Sequence, residues 1–151
     1  MSRPRKFVVD TQLFIHAFRG AAAKDALKQF HERFAPFEYL SVVVAQELLA
    51  GTARPADRAA LEKNVLTSFA RRGRIITPSL NAWYRSGDVL AAIAKKDGLE
   101  AGRVSKAFAN DILLALSCRE SGCILITENE RDFARITRFV AFDYMKPWPG
   151  T

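Results

Sequence analysis

An α/β chain built on a short-stranded, mainly parallel sheet is what this sequence predicts, and two observations carry that expectation. Short β-rich runs alternate with amphipathic helical stretches along the chain. Strands separated by helices imply βαβ crossovers and hence a parallel sheet. The length, 151 residues, suits one hydrophobic core better than two, so 1–151 is read as a single domain. With 49% hydrophobic and 26% charged residues, the composition is globular and excludes a disordered chain.

The elements follow in order. Phe7-Val8-Val9-Asp10 is a β-rich run ending in a carboxylate. Residues 11–18 then place Leu13, Phe14, Ala17 and Phe18 at helical spacing, and Gly20 punctuates. A second helix is predicted over 22–34, with Ala23, Ala26, Leu27, Phe30 and Phe34 on one face and Pro36 beyond its end. Residues 39–42 read as the second strand, passing into a helix over 43–50 that stops at Gly51. Pro55 opens a longer helix over 56–70, whose Leu61, Val65, Leu66 and Phe69 share a face. Residues 74–77 form a third short strand, closed by Pro78. A helix follows over 80–96, a loop marked by Gly98 and Gly102, and another helix over 105–119. Residues 123–127 are the clearest strand of the chain, and 139–142 are expected to be the last.

Composition narrows the partners. The net charge of +7 favours a polyanion such as nucleic acid over a neutral ligand, a merely solvated basic surface being the alternative. Cys118 and Cys123 form no C-x-x-C and have no His nearby, which argues against a zinc site and for thiols in a reducing compartment. The basic residues 1–6 run straight into a strand with no signal-peptide core, and no apolar run approaches the roughly 20 residues of a membrane span. A cytoplasmic protein with no membrane partner is expected. Phosphate-loop glycine motifs and G-x-S-x-G are absent, which removes nucleotide-cofactor and serine-hydrolase readings.

The chemistry lies in the acids. Parallel sheets place sites at the carboxyl ends of their strands. Asp10 falls there, and so do Thr127, Glu128, Asn129, Glu130 and Asp132 after the 123–127 strand. Asp111 is unusual for another reason: its same-face helical neighbours are Ala107, Phe108, Leu114, Ala115 and Cys118. Glu47 repeats the pattern among Val43, Val44, Ala50 and Gly51. A carboxylate in an apolar stripe is costly to bury. A salt bridge would explain either acid alone, but no Lys or Arg shares the stripe around Asp111. A divalent cation, Mg2+ or Mn2+, answers for all of these acids together, and reverses a charge that would repel phosphate. Metal-assisted phosphodiester hydrolysis is the reaction such a site implies.

These residues resemble a known family. Asp10-Thr11 after a β run resembles the opening motif of PIN domains, and the stretch Ser41-Val42-Val43-Val44-Ala45-Gln46-Glu47-Leu48-Leu49-Ala50-Gly51 resembles their central glutamate segment. Asn110-Asp111-Ile112-Leu113-Leu114-Ala115 is similar to the third acidic motif, and Thr127-Glu128-Asn129-Glu130-Arg131-Asp132-Phe133 to the closing T-x-N-x-x-D-F. The four occur in the family's order over nearly the whole chain. The resemblance implies a three-layer α/β/α sandwich and a Mg2+- or Mn2+-dependent endoribonuclease of the VapC toxin type. It implies metal-binding roles for Asp10, Glu47 and Asp111, with the fourth place open between Asn129 and Asp132, and orienting hydroxyls on Thr11 and Thr127. It also implies a homodimer and a small VapB-type antitoxin partner. A groove for that partner is expected along 11–34, where Leu13, Phe14, Phe18, Leu27, Phe30 and Phe34 crowd a short stretch.

Other residues are weaker candidates. Arg71, Arg72 and Arg74, and Arg131, Arg135 and Arg138, would track an RNA backbone if they are more than solvated charge. His16 would touch a phosphate; His31 is read as structural. Trp83, Tyr84 and Trp148 would stack on bases, although Trp83 and Tyr84 read better as core or subunit-interface residues. A phosphatase needs D-x-D where this chain has Asp10-Thr11-Gln12. The main rival is a catalytically weak PIN domain serving as an RNA-binding or structural module.

Overall fold

The computed structural model describes residues 5–98 and 103–150; residues 1–4 and the loop glycine Gly102 lie outside the described residues. Five strands, β1 (Lys6–Val9), β2 (Glu38–Ser41), β3 (Ile75–Ile76), β4 (Cys123–Ile126) and β5 (Tyr144–Met145), pair in parallel. Their order in the sheet is β3-β2-β1-β4-β5. Eight α-helices are described: α1 (Thr11–Arg19), α2 (Ala21–Phe34), α3 (Val42–Ala50), α4 (Pro55–Leu61), α5 (Thr67–Arg71), α6 (Leu80–Lys96), α7 (Lys106–Ser121) and α8 (Glu130–Ile136). α1 packs on α2 and α3, whereas α7 packs on α6, α8 and β4. The result is a sheet between two helical layers, the α/β/α sandwich.

A parallel sheet covered on both faces needs strands that are apolar throughout rather than alternating. The central pair meets that need: Val8, Val9, Leu125 and Ile126 are all buried. Left-handed backbone is used at Gly122, φ 68°, which ends α7 and turns the chain directly into β4. A residue with a Cβ is strained there.

Three expectations change. The helix predicted over 56–70 is continuous from Pro55 to Arg71 but contains a π turn at Glu62–Leu66. Leu61, Val65 and Phe69 are each four residues apart and all buried. In a regular α-helix that spacing drifts by about 40° per step; the wider π turn cuts the drift and keeps all three on the core. The last strand is not 139–142. Phe139 and Val140 donate their backbone N–H groups to Ile136 O, so this apolar run closes the end of α8. The sheet edge is built two residues later by Tyr144 and Met145, paired with Leu125 and Ile126. Finally, Trp83 and Tyr84 are not core residues: with Leu80 they form an exposed apolar face of α6.

The core also holds an acid that sequence reading passed over. Glu38 is wholly buried at the start of β2, with one carboxyl oxygen hydrogen-bonded to Nδ1 of His31 on α2. The other oxygen has no partner among the described residues. Phe14, Phe30 and Phe69 surround the His31 ring. His31 is thus structural, tying α2 to the sheet.

Candidate active site

The strand register brings the acids together. Val9 pairs with Ile126, and Asp10 donates its backbone N–H to Ile126 O at 2.9 Å. Asp10 and Thr127 therefore leave the sheet side by side. They do so between β1 and β4, where the strand order reverses and α/β sheets open a crevice.

Asp10 is the N-cap of α1. Its Oδ1 accepts from Thr11 N at 2.8 Å and its Oδ2 from the Thr127 hydroxyl at 2.7 Å. The Thr11 hydroxyl in turn donates to Glu47 Oε1 at 2.7 Å. Glu47 is carried there by α3, which starts at the buried cap Ser41, whose Oγ accepts from Val43 N. The signal for that cap, a serine just ahead of an apolar helical run, stands in the sequence, yet Ser41 reads equally as part of the strand.

On the other side, Thr127 Oγ accepts from Asn129 N at 3.0 Å. Asn129 is the N-cap of α8: its Oδ1 accepts from Asp132 N at 3.4 Å. Its amide donates to Asp132 Oδ2 at 3.1 Å and to Asp111 Oδ2 at 3.4 Å. A single line of polar contacts thus runs from Glu47 through Thr11, Asp10, Thr127 and Asn129 to Asp111 and Asp132. Asp111 reaches it from the middle of α7, where α7 meets α3.

The electrostatics are unbalanced. Burial, then the charges of Asp10, Glu47 and Asp132, push the Asp111 carboxyl up to about 8. Burial also raises Asp10, opposed by its bonds to Thr127 and Thr11 and helped by the charge of Glu47. Among the described residues, no Lys or Arg forms an ion pair with any of these four acids. Carboxylate and amide oxygens are hard donors, the kind that Mg2+ and Mn2+ accept. The donor set fits such an ion in chemistry and in missing charge. Their present spacing is looser than a metal shell: among the described residues, no three His, Cys, Asp or Glu side chains are arranged to hold an ion as they stand.

The other candidates scatter. Glu128 is exposed and faces His16 at 3.7 Å, both at the rim. Glu130 pairs with Lys146. Arg131 is exposed in the first turn of α8, beside Asp132. Arg135 is engaged by Asp97 and lies 4.7 Å over the Phe108 ring. Arg71 and Arg72 end α5 just ahead of β3, at the opposite end of the sheet from the acids. Trp148 packs on Phe30, with ring centroids 5.0 Å apart. Of the six apolar residues named for the groove, Leu13, Phe14, Leu27 and Phe30 are buried, Phe34 is half-buried, and Phe18 alone is exposed. The expected groove is therefore mostly filled, because α2 closes onto Phe7 of β1 through Phe30 and Phe34.

The PIN domain family model matches residues 7–138, and the chain belongs to that family. Solved structures share the fold. The DNA-bound VapBC of Salmonella typhimurium is 17% identical with a TM-score of 0.67, covering 95% of this chain and 98% of that one. VapBC2 from Rickettsia felis, bound to a promoter DNA fragment, is 19% identical with a TM-score of 0.63, covering 95% and 98%. FitAcB from Neisseria gonorrhoeae is 19% identical with a TM-score of 0.64, covering 94% and 98%. No curated protein matches the sequence. PIN domains are generally nucleases and typically use divalent metal ions.

Proposed function

We propose that this chain is a Mg2+- or Mn2+-dependent endoribonuclease, the toxin of a toxin–antitoxin pair. The observation that carries the reading is the convergence of Asp10, Glu47, Asp111 and Asp132 on one line of hydrogen bonds, with no Lys or Arg ion-paired to any of them among the described residues. Asp10, Glu47, Asp111 and Asp132 would hold the metal. When bound, the ion supplies Lewis-acid stabilisation of phosphoryl charge and lowers the pKa of water. The chain's own residues do the rest. The Thr11 and Thr127 hydroxyls orient the Glu47 and Asp10 carboxylates. Asn129 holds Asp111 and Asp132 close together. Arg131 and His16, exposed at the rim, would steer the RNA phosphates.

A toxin of this kind works in the cytoplasm; among the described residues, no helix is long and apolar enough to cross a membrane. Two of the solved neighbours are named VapBC, which supports a VapB-type antitoxin as partner. Phe18 offers that partner one exposed anchor on α1, and a basic antitoxin side chain would compete with metal at the acids. The exposed face of Leu80, Trp83 and Tyr84 is where we place a homodimer contact. The test is cleavage of RNA with Mn2+ or Mg2+, with EDTA, and with the product of the adjacent antitoxin-like gene. Full activity in EDTA would overturn the enzyme reading. RNA binding without cleavage would favour the rival, an RNA-binding module.

A further inference from the structure

A basic feature lies at the end of the sheet opposite the acids. A cleft of about 790 Å3 opens there, lined by Lys6, Phe37, Tyr39, Arg74, Arg119 and Glu120 among others. Lys6 starts β1, Arg74 precedes β3 and Arg119 sits in the last turn of α7. The β1 strand separates this cleft from Asp10 by four residues, about 13 Å of extended chain.

The cleft is organised around Tyr39. Arg74 Nη1 donates to its hydroxyl at 2.7 Å, and the Arg74 guanidinium and Lys6 ammonium lie 5.2 and 5.7 Å from its ring centre. Lys6 donates to Ser121 O at 3.5 Å, and Arg119 to Ala141 O at 3.3 Å. Each contact uses one donor of a group that carries several. Among the described residues none of the three cations forms an ion pair. The acid in the wall, Glu120, is engaged by the backbone N–H of Ser79, at 2.8 Å, and by the Ser79 hydroxyl. Three like charges in one recess repel each other, and a compact anion relieves that. A phosphate matches both the spare donors and the guanidinium fork. Phe37 and Pro36 add an apolar wall beside the cations, which inorganic phosphate does not use and a nucleoside does. The volume lies within the roughly 300–1,000 Å3 of small-ligand sites.

We propose that this cleft binds a nucleotide phosphate, either of a free nucleotide or of a unit in an RNA strand, remote from the catalytic acids. The site does not depend on RNA being the substrate. Binding of a fluorescent hexaribonucleotide is measured in EDTA, where no metal-dependent cleavage occurs, to the wild type and to the double variant Lys6→Gln, Arg119→Gln. Both side chains are exposed, so the fold should survive. The wild type should bind with an affinity that falls with salt. The double variant should bind roughly tenfold more weakly, with a log–log salt slope shallower by about 1.4, the loss of two single-strand phosphate contacts. AMP that displaces the oligonucleotide from the wild type identifies a free nucleotide as occupant; displacement only by unlabelled RNA identifies the strand. Unchanged affinity and slope in the double variant would overturn the proposal while leaving the ribonuclease reading untouched.

Discussion

The Thr127 hydroxyl donates to Asp10 Oδ2 at 2.7 Å, joining the carboxyl ends of two adjacent central strands. Thr127 is wholly buried, and its oxygen also accepts from Asn129 N. One hydroxyl therefore sets Asp10 and starts the turn into α8. Thr127→Val keeps the shape and removes both bonds. Metal affinity should fall roughly 10–100-fold, the usual cost of losing an outer-shell partner. Stability should fall by about 1–3 kcal/mol, since a buried N–H and a carboxylate oxygen lose their partner. Mn2+ titration and urea unfolding check the two halves separately.

Asp10→Asn and Asp111→Asn each remove the charge of a proposed metal ligand without changing shape. Metal-dependent cleavage should fall beyond the roughly 100-fold upper range for an outer-shell loss, with the circular dichroism spectrum unchanged. Wild-type rates in both variants would refute the assignment.

The fourth ligand divides Asn129 from Asp132. Asn129 is engaged at the start of α8 and through its amide to two acids, and a carboxylate is the stronger ligand for a hard cation. Asp132→Ala should weaken Mn2+ binding more than Asn129→Ala does, whereas Asn129→Ala should cost more thermal stability, about 1 kcal/mol for a lost cap. The reverse order in Mn2+ affinity would assign the fourth place to Asn129.

Stability in EDTA should depend on pH through Asp111. Its carboxyl stands at about 8 in the folded chain against an ordinary 3.8. The folded state holds this proton more tightly, so the contribution is fully present below about pH 4 and is lost as pH rises through 8. Asp111→Asn removes this dependence. Its melting temperature should match the wild type near pH 4 and exceed it at pH 9. Differential scanning fluorimetry across that range checks it; parallel curves at all pH values would refute it.

His31 is the partner of a buried acid rather than of a ligand. His31→Ala leaves Glu38 without a hydrogen bond on either carboxyl oxygen. It should destabilise the fold by about 3 kcal/mol in urea unfolding, without changing Mn2+ affinity.

Much of this was legible in the chain itself. The apolar runs at Phe7–Val9 and Cys123–Ile126 and the helical spacing of residues between them determine a parallel α/β sheet, because burial on both faces needs continuous apolar strands. The odd placement of Asp111 among apolar neighbours marks it in the sequence alone, since an acid does not go there without a counter-charge. What only tertiary structure decided depends on partners distant in sequence. Residues 139–142 have strand composition, yet their N–H groups are taken by α8, and composition does not record which acceptor is near. Glu38 stands just ahead of the 39–42 run, and nothing in the sequence marks its burial until β2 is placed against α2. Lys6, Arg74 and Arg119 are far apart along the chain and meet only because β1 and β3 begin on the side where α7 ends. Local periodicity fixes which face of an element is apolar; the register between elements fixes which charges become neighbours.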